Sequence, residues 1–82
     1  MTLTKGQTVR VRLAGTSDEW CQATVALASG SGKAIGLDLE SAVRTRSGGF
    51  IAGALPLLVD YEKESVTSLF GDEYEIEVAD AG

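Results

Sequence analysis

Apolar and polar residues alternate along most of this 82-residue chain, and stretches rich in glycine and serine separate the alternating segments. A period of two is typical of a β-strand with one buried face, and no stretch has the spacing of an amphipathic helix. The pattern predicts strands at residues 8–13, 20–28, 34–39, 54–60, 66–70 and 74–78, with a short one at 50–52. The residues expected to face the core are Val9, Val11, Leu13, Cys21, Ala23, Val25, Leu27, Ile35, Leu37, Leu39, Tyr74, Ile76 and Val78.

Residues 54–60, ALPLLVD, depart from this alternation because they are apolar on both faces. They overlap a longer run, residues 47–59, that carries no charge. A strand in a small barrel normally has one face in water, so the run holds more apolar surface than one core requires. We expect part of it to be core. The surplus would be covered by the chain's own loops, by a second copy of the protein or by another partner.

Short strands about ten residues apart, with no helix between them, indicate a small barrel or sandwich. We therefore predict one all-β domain over residues 1–82, an SH3-like barrel of five to seven short, mostly antiparallel strands. Residues 1–5 and 79–82 are expected to be flexible ends, and residues 41–49 a loop. Pro56 has no N–H group to donate, which predicts a position at an edge or a bulge.

The charges are distributed unevenly along the chain. Six basic and four acidic residues precede Ser47, whereas one basic and eight acidic residues follow from there. An SH3-like barrel usually lays its first strand beside its last. We therefore expect Arg10 and Arg12 to face Glu75 and Glu77, where opposite charges contribute about 0.2–1 kcal/mol per pair.

Composition excludes several kinds of function. The net charge of −5 argues against non-specific nucleic-acid binding, which needs a positive face. The chain has no histidine, the commonest general base and transition-metal ligand, so we predict no enzymatic activity. The single cysteine, Cys21, cannot form an internal disulfide, which is consistent with the cytoplasm. No apolar stretch is long enough to span a bilayer and no secretory signal is recognisable, so we expect no membrane association.

Two segments that invite a ligand assignment lack the pattern it requires. SGSGK, residues 29–33, has neither the first glycine nor the following Ser or Thr of a phosphate-binding P-loop, so we interpret it as a hairpin turn. The acidic residues between Asp72 and Asp80 lack the glycine-centred loop of a calcium site, and a solvated face accounts for them better. We therefore expect no cofactor and no metal ion.

The candidates for partner binding are the exposed or surplus apolar residues and the arginines of the 41–49 segment. Trp20 is expected to face away from the core, either as an anchor for a partner or in half-buried packing at the barrel rim. The five candidates are Trp20, Arg44, Arg46, Phe50 and Leu57.

Residues 34–53, AIGLDLESAVRTRSGGFIAG, resemble the middle of a CAP-Gly domain. That family has a G-V-x-L-D-x-P stretch, a glycine-rich loop, and a glycine before a strand of aromatic residues. Its G-K-N-D-G loop, which receives acidic C-terminal tails of cytoskeletal proteins, is replaced here by residues 44–48, RTRSG. The resemblance thus implies a barrel without implying that ligand. The positions that match are Gly36, Leu39, Gly48 and Gly53.

Residues 6–39 are similar to part of a PilZ domain, with a strand, a hairpin and AIGLDL in place of the family's V-G-V-x-F strand. PilZ proteins that bind cyclic di-GMP use R-x-x-x-R and D-x-S-x-x-G motifs, and this sequence has neither. This resemblance also implies a barrel alone.

The sequence therefore predicts a cytoplasmic, non-enzymatic interaction module that binds a protein partner or forms a homodimer. The alternative is a barrel that binds a small ligand or nucleic acid through a local basic patch of Arg44, Arg46 and Lys33. A small enzyme would require convergent residues that the pattern does not indicate.

Overall fold

The computed structural model describes residues 3–63 and 65–78, and this part of the chain contains strands and no helix. The all-β prediction is confirmed. The strands are β1 (Thr8–Leu13), β2 (Cys21–Ala28), β3 (Ala34–Leu39), β4 (Val43–Arg44), β5 (Phe50–Ile51), β6 (Ala54–Asp60), β7 (Ser65–Ser68) and β8 (Glu73–Val78).

Six of the strands close into a barrel in the order β1-β2-β3-β6-β7-β8, and every neighbouring pair is antiparallel. The predicted closed barrel is confirmed, and β1 lies beside β8 as expected. The strands β4 and β5 form a separate hairpin inserted between β3 and β6. Because the barrel is closed, its six strands expose no long edge to which another chain could add a strand.

The barrel interior is filled by one cluster of aliphatic side chains with Tyr74 and Cys21. Leu3 belongs to this core and is 2% exposed, although residues 1–5 were expected to be flexible. Residues 1, 2 and 79–82 lie outside the described residues. The core consists of Leu3, Val9, Val11, Leu13, Cys21, Ala23, Val25, Ile35, Leu37, Leu39, Val43, Leu55, Leu57, Val59, Val66 and Tyr74.

The predicted charge ladder between the first and last strands is confirmed. Arg10 lies opposite Glu77 and Arg12 opposite Glu75. Arg10 forms an ion pair with Glu77, and the Arg12 Nε donates to Glu75 Oε2 at 2.8 Å. All four side chains are partly solvated, so each pair adds little stability, but together they favour this register over a shifted one.

Two residues predicted to face the core are exposed. The register of β2 against β3 shifts between Val25 and Leu27, and this β-bulge turns Leu27 outward. Val78 is exposed because β7 pairs with β8 only at Tyr74 and Glu73, which leaves the end of β8 covered on one side.

Residues 41–49 were predicted to be a loop, but part of this segment, Val43–Arg44, is a strand. Val43 is buried and pairs with Ile51, and this short ladder continues to Arg44 opposite Phe50. The turn between the two strands is closed by a Thr45 N–H bond to the Gly49 carbonyl, and Gly48 adopts φ +97° within it. The buried side chain is what makes this segment pair instead of remaining irregular.

Pro56 occupies the position its chemistry predicts. It pairs with Gly36 of β3, but the ladder between β6 and β7 begins only at Leu57, opposite Ser68. Pro56 therefore lies beyond the end of β7, where no ladder N–H is required.

Candidate interaction surface

One outer face of the barrel is apolar and carries no charge. It is formed by the end of β2 with the adjoining parts of β3 and β6, and it consists of Leu27, Ala34, Gly36, Pro56 and Leu58, hereafter the charge-free face. Gly36 lies between Leu27 and Pro56 in register, and Ala34 lies beside Leu58. Leu27 is 67% exposed and Leu58 is 50% exposed. The two exposed leucines lie on β2 and β6, on either side of β3, and the small apolar residues between them make one continuous apolar patch, which marks a candidate contact site.

The face arises from two local features of the sequence. The bulge in β2 moves Leu27 from the interior to the outside, directly over Gly36. In β6, strict alternation buries Leu55, Leu57 and Val59 and leaves the intervening residues outside. The chain's own loops therefore do not cover the surplus apolar residues of β6 in the described structure, and Leu58 remains accessible.

Small residues on β3 make the face concave. Gly36 and Ala34 form the floor of a depression of about 360 Å³, and Leu27 and Pro56 form its sides. A Cβ atom at Gly36 would lie 3.6 Å from the Cβ of Leu27, an ordinary van der Waals distance. The surface above Gly36 therefore has room for at least a methyl-sized group.

Charges of opposite sign mark the two ends of β3. Lys33 immediately precedes the strand and Asp38 lies near its end, beside Thr24 and Ala54 in register. Both residues are exposed, and within residues 3–63 and 65–78 neither forms an ion pair within 4 Å. Asp38 follows the outward alternation of β3 and borders the charge-free face, as does Asp60 two residues after Leu58 on β6, whereas Lys33 lines a separate depression with Val59 and Tyr61.

Leu57, a sequence-predicted partner-binding residue, does not belong to this surface. It is 1% exposed and packs in the core, so its side chain is not accessible to a partner. Its neighbour Leu58 is the exposed residue. The sequence interpretation treated residues 54–60 as apolar on both faces, but Asp60 has the same parity as Leu58, and the structure places both outside.

Two other candidates, Arg44 and Phe50, meet at the opposite end of β3. Phe50 is 70% exposed on the hairpin, and Arg44 Nη2 lies 3.4 Å from Asp18 Oδ1. With Arg12 and Glu19 they line a cavity of about 220 Å³. Two arginines and two acidic residues line this cavity, so their charges largely cancel and the cavity has no strong potential of either sign for a charged ligand.

The basic patch of the alternative hypothesis is not assembled. Arg44 and Arg46 belong to the hairpin that follows β3, whereas Lys33 lies just before β3. The six residues of that strand place Lys33 about 20 Å from the hairpin. The Arg46 Nη2 donates to the Ala14 carbonyl at 3.1 Å, which ties this side chain to the turn after β1.

Trp20 is half-buried against the charge ladder. Its ring lies under the Arg12 guanidinium at 4.2 Å and within 5.3 Å of that of Arg10. Of the two alternatives that the sequence left open, this geometry favours rim packing, because two cation–π contacts already cover the ring.

Two pKa shifts follow from these contacts. The hydrogen bond from Arg12 lowers the pKa of Glu75 below its ordinary value. Burial, with a smaller contribution from the Asp72 carboxylate, raises the pKa of Tyr74. The Tyr74 hydroxyl donates to the Arg44 carbonyl at 2.9 Å, which fastens the β4–β5 hairpin to the barrel. Both shifts arise from contacts that hold the fold together.

In the part of the chain that the structure describes, no three His, Cys, Asp or Glu residues converge as metal ligands. Over the same residues, no helix is long and apolar enough to cross a membrane.

Comparison of the chain with protein-family models, curated proteins and solved structures found no match. The resemblances to CAP-Gly and PilZ domains therefore stay predictions from the sequence. The function has to be inferred from the surface itself.

Proposed function

We propose that this protein is a non-enzymatic protein-interaction module that binds its partner through the charge-free face. The observation that carries the proposal is the exposure of Leu27 and Leu58 on the two strands that flank Gly36 and Ala34 of β3. Water leaves such a surface readily, and each Å² of apolar surface covered by a partner contributes about 25 cal/mol.

The closed barrel supports side-chain recognition over strand addition. Every barrel strand has a neighbour on both sides, and the unpaired stretches among the described residues are short, such as the edge of the β4–β5 hairpin and the end of β8 beyond Tyr74. A partner therefore packs against the outer face, with an apolar side chain of its own over Gly36. Peripheral polar contacts then fix its orientation.

The experiment that tests this proposal is a selection of binding peptides from a random phage-displayed library. We expect selected peptides to be rich in apolar residues, to bind the wild-type protein, and to lose binding to Leu58→Lys. Phe50→Lys is the matched control, because Phe50 is also exposed but lies on the hairpin. Peptides that bind both variants equally, or that lose binding only to Phe50→Lys, would place the binding surface elsewhere.

A further inference from the structure

The cavity of about 220 Å³ that Arg44 and Phe50 line, hereafter the hairpin cavity, lies between the β4–β5 hairpin and the segment that precedes β2. We propose that it binds a small zwitterion, a free α-amino acid with an aromatic or large aliphatic side chain. The cavity shares no residue with the charge-free face. The inference therefore goes beyond the proposed function and does not depend on it.

The size of the hairpin cavity limits its ligand to a small molecule with an apolar part. Pockets for drug-sized ligands hold about 300–1,000 Å³, and this cavity is smaller. Leu13 and Val43 are 3% and 4% exposed, so they contribute apolar surface at its base. The Phe50 ring is 70% exposed and takes no part in the core. It can therefore cover one apolar side chain of a ligand at the opening.

The charges that line the hairpin cavity favour a ligand that carries both signs. Arg12 and Arg44 supply two positive charges, and Asp18 and Glu19 supply two negative ones. A ligand with one charge is attracted by one pair of side chains and repelled by the other. An α-amino acid carries its ammonium and its carboxylate on the same carbon atom, and it can place each beside a side chain of opposite sign. The short separation of the two groups suits a cavity of this size.

Arg44 is the cation that can bind the ligand carboxylate. Its side chain is 52% exposed, and within residues 3–63 and 65–78 its one ion pair is the 3.4 Å contact between Nη2 and Asp18 Oδ1. A guanidinium has five N–H donors, so Arg44 can hold a carboxylate in two hydrogen bonds and keep this contact. Arg12 is less suited because its Nε already donates to Glu75 Oε2 at 2.8 Å.

Glu19 is the anion that can bind the ligand ammonium. It is exposed, and in the described part of the chain its carboxylate has no lysine or arginine within 4 Å. Asp18 lies next to it and adds negative charge on the same side. Both acids precede β2, whereas Arg44 belongs to the hairpin, so two different elements hold the two ends of the ligand. The expected pose sets the carboxylate at Arg44, the ammonium at Glu19 and the side chain against Phe50 and Val43.

The experiment is a titration of the ¹⁵N-labelled protein with L-phenylalanine, followed in ¹H–¹⁵N correlation spectra. We expect saturable amide shifts at Glu19, Val43, Arg44 and Phe50, with a dissociation constant of about 1 mM because so small a ligand makes few contacts. Spectra that do not change would overturn the inference. Shifts confined to the charge-free face would overturn it as well, because they would place the ligand on the other surface.

Two analogues of phenylalanine test whether both charges are required. N-acetyl-phenylalanine lacks the ammonium, and phenylalanine amide lacks the carboxylate. Each should bind at least about tenfold more weakly than phenylalanine, because each loses one charge-assisted contact. If either analogue binds as tightly as phenylalanine, the ligand is not recognised as a zwitterion and the inference is wrong.

Arg44→Gln and Glu19→Gln test the two charged partners separately. Each should weaken phenylalanine binding at least about tenfold and leave the circular dichroism spectrum unchanged, because both side chains are exposed. Lys33→Gln and Glu62→Gln are the matched controls, since they change the net charge equally at the other end of the barrel. If Arg44→Gln disturbs the hairpin, Arg44→Lys replaces it and should also weaken binding, because lysine has no planar fork of donors. A folded variant of Arg44 or Glu19 that binds as the wild type does would contradict the proposed site.

Phe50→Ala tests the apolar part of the site. It should weaken phenylalanine binding by roughly fivefold because it removes apolar contact area. Phe70→Ala is the matched control, since Phe70 is 80% exposed on the turn after β7 and does not line the cavity. Glycine, which carries both charges without a side chain, should bind the wild type more weakly than phenylalanine does. Glycine that binds as tightly, or a Phe50→Ala protein that binds phenylalanine no worse than Phe70→Ala, would refute the apolar contact.

Discussion

The bond between Tyr74 and the hairpin offers a direct test of how the inserted β4–β5 segment is held. Tyr74 is 2% exposed, and its hydroxyl is the group that reaches from β8 to the Arg44 carbonyl at 2.9 Å. Tyr74→Phe removes that hydroxyl and keeps the ring, so the core volume hardly changes. Any loss of stability then comes from the hydrogen bond.

The expected magnitude follows from the surroundings of the bond. A typical internal hydrogen bond contributes about 0.5–1.5 kcal/mol, and an acceptor left buried without a partner costs about 1–3 kcal/mol. The Arg44 side chain is exposed, so water can reach the Arg44 carbonyl when the hydroxyl is removed. The loss of stability should therefore lie near the lower end of these two ranges. We expect Tyr74→Phe to lower the free energy of unfolding by about 1–1.5 kcal/mol, which corresponds to roughly 4–12 °C in Tm for a domain of this size.

Urea unfolding followed by circular dichroism measures this change, and amide hydrogen exchange at Val43 and Ile51 shows whether the hairpin opens more often. The control is Tyr61→Phe, whose hydroxyl bonds the Gly32 carbonyl at the other end of the barrel and does not touch the hairpin. It should leave exchange in the hairpin unchanged. A Tyr74→Phe protein as stable as the wild type, with unchanged exchange, would refute this account of the hairpin.

Tyr74 also predicts a pH dependence. Because its folded-state pKa is raised above the ordinary value of about 10, it contributes stability that is complete below that pH and is lost as the pH rises through the raised pKa. Tyr74→Phe should therefore lose less stability than the wild type at alkaline pH.

Three further predictions follow from single contacts. The hydrogen bond from Arg12 lowers the pKa of Glu75, so the stability that the ionised Glu75 contributes is complete above the ordinary carboxyl pKa and is lost as the pH falls through the lowered pKa. Glu75→Gln should therefore flatten the acid side of a stability–pH profile measured by urea unfolding. An unchanged profile would argue against the bond. Gly32→Ala should cost about 1–2 kcal/mol in thermal melts because φ is +73° there, and an unchanged Tm would contradict that backbone conformation. Leu57→Lys should unfold the domain whereas Leu58→Lys should not, and a folded Leu57→Lys by circular dichroism would contradict the assigned strand parity.

The strand positions and the closure of the barrel could be predicted because they depend on local pattern and on charge. The alternation of residues 8–13 predicts β1 and its inward face. The expected barrel topology places the first strand beside the last, and Arg10 and Arg12 opposite the acidic residues Glu75 and Glu77 agree with that pairing.

The interaction surface could be predicted only in part, because it depends on how strands meet. The charge-free run drew attention to β6, but its interpretation as apolar on both faces overlooked Asp60, whose parity already indicates that Leu58 lies outside. Leu27 could not be assigned at all, since the bulge that exposes it is a register shift against β3. Sequence alternation across a bulge therefore predicts the wrong face for every residue that follows it.

The central claim is that the charge-free face is where this protein binds its partner. The most direct measurement is a series of ¹H–¹⁵N correlation spectra of the labelled protein as one of the selected apolar-rich peptides is added, up to about 1 mM peptide. The account predicts amide shifts that change with peptide concentration at Leu27, Gly36 and Leu58 and stay constant at Arg12 and Glu75 on the charged side. Spectra that do not change as the peptide is added, or that change at the hairpin instead, would contradict it.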